Sequence, residues 1–137
     1  MSWIVLDASV TLAWCFSDEQ TPAAMKVLDL LKAGDRVLVP AFWCSEILNS
    51  LLVSERKRRI SAAQSQAFLA DLAALRPTLD DCPLQRVFQD IQVLCRQHGL
   101  APYDALYIEL ALRSRSPLAT LDKDQRNAAA AIGVTCL

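Results

Sequence analysis

The sequence predicts a three-layer α/β/α fold with a central parallel sheet and a helical hairpin, and three observations carry that expectation. Short apolar runs rich in strand formers, Trp3-Ile4-Val5-Leu6, Val37-Leu38-Val39 and Leu118-Ala119-Thr120-Leu121, give way abruptly to polar or breaking residues, as strands buried on both faces do. Stretches of helical period separate these runs, and alternation of strand with helix implies right-handed crossovers that put helices on both faces of the sheet. At 137 residues and 53% hydrophobic composition, the chain has the size and apolar content of one core, so residues 1–137 are read as a single domain.

Along the chain, Trp3 to Leu6 is the first strand and Asp7 closes it. Residues 9–16 suit a short helix, and Thr21 as N-cap with Pro22 at the first helical position opens a second, which Ala33-Gly34-Asp35 stops. Residues 37–39 are the next strand, ended by Pro40. Phe42, Ile47, Leu48, Leu51 and Leu52 then recur at helical spacing with Glu46 near the helix start. Ser61, with Gln64 three residues on, reads as a capping box for a helix whose stripe Phe68, Leu69, Leu72 and Leu75 lasts until Arg76-Pro77; the two helices form the hairpin. A further helix spans about Pro83 to His98 and is stopped by Gly99. Pro102-Tyr103-Asp104-Ala105 begins another, with Leu106, Tyr107, Leu110 and Ala111 among its apolar residues. The strand 118–121 ends at Asp122, a helix follows to about Ile132, and Val134-Thr135-Cys136 is expected as a final strand.

Composition narrows the function classes. A net charge of -1 and an isoelectric point near 5.7 argue against holding nucleic acid through a strongly basic surface. The five cysteines (Cys15, Cys44, Cys82, Cys95 and Cys136) are scattered, with no Cys-x-x-Cys pair. This argues against a zinc site or a disulfide framework and suggests reduced, mostly buried apolar fillers. No run of about 18 apolar residues and no signal-peptide pattern is present, so a cytoplasmic protein with no membrane span is expected.

The placement of acids is more informative than their number. Asp7 and Asp122 end strands, Glu46 sits in the first turns of a helix that follows a strand, and Asp104 opens a helix returning toward the sheet. In a parallel sheet all strand C-termini share one edge, where ligands bind, so these four acids are expected to converge there. Two like charges about 4 Å apart repel by about 4 kcal/mol at an effective dielectric near 20. Either carboxyls take up protons or a hard cation neutralises them, and Mg²⁺ or Mn²⁺ suits oxygen ligands. Such a site is suited to phosphodiester hydrolysis. Singly, each acid has a plainer reading: Asp7 as a turn residue, Asp104 and Asp122 as helix-start acids, Glu46 as a surface charge. Jointly, the plain readings leave unexplained an acid directly after a buried strand.

The sequence resembles the PIN-domain nucleases, in particular the VapC-type toxin ribonucleases of bacterial toxin-antitoxin pairs. The resemblance rests on Ile4-Val5-Leu6-Asp7-Ala8-Ser9, Glu46-x-x-Asn49, Tyr103-Asp104-Ala105 and Thr120-Leu121-Asp122-Lys123, in this order along the whole chain. It implies a PIN fold, dependence on Mg²⁺ with Mn²⁺ as substitute, and endonucleolytic RNA cleavage leaving a 5′-phosphate and a 3′-hydroxyl. It further implies a cognate antitoxin and a homodimer. By the same resemblance Asp7, Asp104 and Asp122 hold metal directly or through water, and Glu46 helps to hold the ion or accepts the proton of the attacking water.

Ser9 and Thr120 would then supply hydroxyls to the carboxylates or to metal-bound water, although Ser9 can equally cap a helix and Thr120 can merely suit a strand. Asn49, one turn from Glu46, can reach the same site or face solvent. Asp124 can assist as a ligand or serve the helix dipole. Arg56, Lys57, Arg58 and Arg59 can grip RNA phosphates or an acidic partner, or simply favour a helix C-terminus. Trp14, Phe16, Phe42 and Trp43 would line the antitoxin groove or dimer contact, with core packing the default for at least half of them. His98, the only histidine, is placed at a helix end and is not expected to be catalytic. The alternative is a catalytically silent PIN-like module that binds RNA or protein. Receiver-like and dehalogenase-like domains rank lower, because Asp7-Ala8-Ser9 lacks a second acid and Val39-Pro40 offers no phosphoacceptor. The RNA target is not encoded in these residues.

Overall fold

The computed structural model of the protein describes residues 2–137. Strands β1 (Trp3–Leu6), β2 (Arg36–Pro40), β3 (Thr78–Asp80) and β4 (Leu118–Ala119) form one sheet of order β3-β2-β1-β4, with every pairing parallel. The helices are α1 (Ala8–Cys15), α2 (Pro22–Lys32), α3 (Trp43–Arg56), α4 (Ala62–Ala74), α5, α6 (Pro102–Ser114) and α7 (Lys123–Ile132). Helix α5 is built of α-helical Leu84–Arg86, a π-helical stretch Val87–Ile91 and α-helical Gln92–His98 in succession. The α/β/α arrangement with a parallel central sheet is the one the alternating pattern predicted.

Apolar strand residues create the core. Ile4, Val5 and Leu6 of β1 are at most 1% exposed, as a strand covered on both faces requires. Helix α6 lies against β1 and β2 and buries Ala105, Ile108 and Ala111, while α1 packs against both α2 and α3. Local chemistry sets the helix ends as read from the sequence. The Thr21 side chain accepts the N–H of Ala24, and Ser61 and Gln64 complete both arms of a capping box. Gly99 ends α5 at φ 64°, a left-handed conformation that costs glycine little.

Four expectations need correction. Strand β3 was not foreseen: it is three residues long and largely exposed, and it exists because Thr78 to Asp80 pair with Leu38 to Pro40. The expected last strand reduces to a single bridge between Leu118 and Cys136, with Val134 filling the core, and β4 itself stops at Ala119, so Thr120 and Leu121 lie beyond it. Helix α1 starts at Ala8 and ends at Cys15, because Asp7 is its N-cap. The cysteines are free, but Cys15, Cys82, Cys95 and Cys136 are half-buried and Cys44 is exposed, so they are not mostly buried. Among the described residues no helix is long and apolar enough to cross a membrane.

Because Ile108 is fully buried on the helix that carries Asp104, Ile108→Ala is expected to cost about 2–5 kcal/mol. The urea midpoint should fall with an unchanged slope. An unchanged midpoint would contradict the packing of α6 on the sheet.

Candidate active site

The site grows from the junction of β1 and β4. Asp7 follows β1 directly, and its backbone N–H donates to the carbonyl of Ala119 at 3.0 Å, fixing the position where α1 starts. Its side chain is buried, which for a carboxylate is costly unless donors surround it. Three do: the N–H and hydroxyl of Ser9 and the hydroxyl of Thr120 (3.1 Å) all donate to Asp7 Oδ2. Those hydroxyls are themselves held, since Leu121 N–H donates to Ser9 Oγ at 3.0 Å and Asp122 N–H donates to Thr120 Oγ1 at 3.1 Å. The segment after β4 is thereby tied to the end of β1. Asp122 N-caps α7, its Oδ1 accepting the Gln125 N–H at 2.9 Å.

The other two acids come from the helical layers. Glu46 stands in the first turn of α3, half-buried, and its Oε1 accepts the hydroxyl proton of Tyr107 on α6 at 2.7 Å. Tyr107 is buried, with its ring edge-on to Phe42 at 5.3 Å. Asp104 lies in the first turn of α6 and is also half-buried.

The electrostatics tie these acids into one field. Burial raises the Glu46 carboxyl above its usual range; the Tyr107 hydrogen bond lowers it, and the charges of Asp7 and Asp104 push it up again. Burial likewise raises Asp104, followed by the charges of Asp122, Asp7 and Asp124. Tyr107 is held protonated far above the ordinary tyrosine range by burial and by Glu46. The charges of Asp7 and Asp104 thus bear on Glu46, and those of Asp122, Asp7 and Asp124 on Asp104.

The donor set is all oxygen and its charges are mutually unfavourable, which matches a hard divalent cation in chemistry. Among the described residues, however, no group of three or more His, Cys, Asp and Glu stands arranged to hold an ion. Mg²⁺ commonly uses only one or two carboxylates and keeps several waters, so the carboxylates present fit it without such a ready cage.

Asp7, not Ser9, caps α1, so the Ser9 hydroxyl is free to bind Asp7, and the Thr120 hydroxyl does the same. Asn49 is exposed and, with Ser9, lines a groove of about 650 Å³ together with Phe16, Val53, Arg59 and Leu121. Arg56, Lys57 and Arg58 are exposed at the end of α3. Arg59 is already engaged, pairing with Asp18 at 3.0 Å and Glu19 at 3.6 Å over the ring of Phe16. Of the four aromatic residues, Phe16 and Trp43 are buried, Trp14 donates to the Ala24 carbonyl at 2.8 Å, and Phe42 packs against Tyr103 and Tyr107. His98 is the last residue of α5.

Sequence reading missed two residues of the site. Tyr107 was counted only as part of an apolar stripe, though its place three residues after Asp104 puts it on a neighbouring part of the same helix surface. Gln125, three residues after Asp122, is fully buried, and its side-chain amide donates to the Asp104 carbonyl at 3.3 Å. Its spacing suggests a capping partner; its burial is set by tertiary packing.

Relief of charge should be visible in stability. A carboxyl raised above its ordinary value binds protons better in the native state, so it costs stability as pH rises past that ordinary value, which is 3.8 for Asp104. In chelator at pH 7, Asp104→Asn is therefore expected to melt above wild type, the gain shrinking to nothing as pH falls below the ordinary carboxyl range. Thermal melts between pH 3 and pH 8 (about the span that covers both states) check this; a gain that is absent at neutral pH would contradict the crowding of charge.

No curated protein matches the sequence. Solved structures do match the fold. PAE2754 from Pyrobaculum aerophilum aligns at TM-score 0.71 and 22% identity over 93% of this chain and 84% of its own. FitAcB from Neisseria gonorrhoeae aligns at TM-score 0.65 and 20% identity over 98% of this chain and 96% of its own. VapBC2 from Rickettsia felis, bound to a DNA fragment from their promoter, aligns at TM-score 0.64 and 17% identity over 92% of each chain. At such identities the likeness is one of fold. The PIN domain family model matches residues 4–131, nearly the whole sequence and a span that contains Asp7, Glu46, Asp104 and Asp122. The chain belongs to the PIN domain family.

Proposed function

We propose that the protein is a Mg²⁺-dependent endoribonuclease, with Mn²⁺ able to substitute, that hydrolyses RNA phosphodiester bonds at Asp7, Glu46, Asp104 and Asp122. The observation that carries this reading is the mutual electrostatic action of carboxylates drawn from separate elements, with burial and neighbouring charge raising both Glu46 and Asp104. Asp7, Asp104 and Asp122 would hold the ion directly or through water, and Glu46 would help to hold it or accept the proton of the attacking water. When bound, a divalent ion supplies positive charge against the phosphate and makes water more acidic.

The rest is the work of the chain's own groups. Ser9 and Thr120 aim the Asp7 carboxylate, which would otherwise be free to turn. Tyr107 fixes Glu46 in the orientation from which it would accept the proton of an attacking water or help to hold the ion. The groove lined by Ser9, Asn49 and Arg59 offers room for an RNA strand, and Arg56, Lys57 and Arg58, exposed at the end of α3 outside that lining, would meet phosphates beyond it.

The proposal extends to the biological setting. Membership of the PIN family, the motif resemblance and the likeness in fold to VapBC2 and FitAcB support a VapC-type toxin of a type II toxin-antitoxin system. A cognate antitoxin, a homodimer, a single domain over residues 1–137 and a cytoplasmic site of action belong to the same reading. One observation favours the alternative of a catalytically silent PIN-like module: among the described residues no three His, Cys, Asp or Glu stand arranged to hold an ion. Against it, a module that only binds partners gains nothing from carboxylates held against their repulsion.

The deciding experiment incubates purified protein with total RNA. Cleavage with 5′-phosphate ends is expected in Mg²⁺ and none in chelator or with Asp7→Asn, while Glu46→Gln slows it by about 10²–10⁴-fold. Cleavage that persists in chelator contradicts the mechanism, and folded wild-type protein that leaves RNA intact in Mg²⁺ favours the silent module.

A further inference from the structure

We propose that Gln125 is a positioning residue that sets the separation of Asp104 from Asp122, and with it the affinity for a divalent cation, by bonding to both acids; this inference rests on the metal-site reading above. Gln125 is fully buried in α7. Its backbone N–H donates to Asp122 Oδ1 at 2.9 Å, and its side-chain Nε2 donates to the main-chain carbonyl of Asp104 at 3.3 Å. One residue thus touches two of the four acids, across the contact of α6 with α7.

Core packing alone does not call for glutamine here. The Oε1 of Gln125 is buried without a hydrogen-bond partner. An unsatisfied buried acceptor is a cost that an apolar side chain of the same length would avoid. What the amide adds is a directional tie to the start of α6. The N-cap residue Ala101 makes no side-chain cap bond, so this bond to a first-turn carbonyl supplies a side-chain anchor that the cap does not. Asp104 sits in that same first turn, so a shift of the α6 start relative to α7 moves Asp104 relative to Asp122. Groups that orient ligands in this way typically change metal affinity by about 10–100-fold when removed.

The test measures Mn²⁺ binding without RNA, from the paramagnetic resonance signal of free Mn²⁺, on wild type, Gln125→Met, Gln125→Leu and Asp122→Asn. Methionine keeps the unbranched shape and loses the amide, and leucine guards against a variant that fails through shape alone. The expected result is a dissociation constant raised about 10–100-fold in Gln125→Met, with a urea midpoint no lower than that of wild type. Unchanged Mn²⁺ affinity in folded Gln125→Met overturns the tether alone. So does unfolding of both apolar variants, which would make Gln125 a packing residue. Wild-type protein that binds no Mn²⁺, or Asp122→Asn that binds it as well as wild type, sinks the metal-site reading itself.

Discussion

Gathering like charge at the end of a buried strand is the demand that shapes this molecule, because folding has to meet that repulsion before any chemistry is possible. Asp7 meets it with three donors on one carboxylate oxygen, two of them hydroxyls that are in turn fixed by the N–H groups of Leu121 and Asp122. The parallel register of β1 with β4 makes this possible, since it sets Leu6 beside Ala119 and leaves Asp7 and Thr120 adjacent past the strand ends. Glu46 has one such donor, Tyr107, and its carboxyl stays raised nonetheless. The compensation is uneven, and the uncompensated remainder is what a cation would relieve.

How far the site could be read from the sequence depends on which forces placed each residue. Asp7 was legible because an acid directly after a buried apolar run has few structural excuses, and Asp122 because it closes the segment after β4, on the edge that parallel strands share. Glu46 was legible through its closeness to β2 and Pro40. Asp104 was recognisable by its helix start, but its approach to the other acids depends on α6 lying across β1 and β2, which no local pattern states. Tyr107 and Gln125 were hidden for a related reason: hydrophobic periodicity treats a tyrosine as apolar and a glutamine near a helix start as surface, whereas burial gives both polar groups their roles.

The fold shows the same division. Helices with strong caps, such as α2 and α4, were delimited by Thr21 and by Ser61 with Gln64. Strand β3 was invisible because Thr78 and Leu79 are exposed and the segment is too short to alternate; its pairing with β2 is a tertiary effect. The residues after Gly133 looked like a strand and instead meet the sheet through one bridge at Cys136. Helix α6 joins the two levels, burying Ile108 and Ala111 against the sheet while presenting Asp104 and Tyr107 to the acids. Packing and function are thus borne by one element, which ties the geometry of the acids to the stability of the core.

The most direct measurement is the anomalous diffraction of a crystal of this protein soaked in Mn²⁺. A single pocket of converging carboxylates predicts an anomalous peak within coordination distance of Asp7 and at least one of Glu46, Asp104 and Asp122. Ordered carboxylates with no peak among them, or a peak only at Asp18 and Glu19, which pair with Arg59, would contradict it.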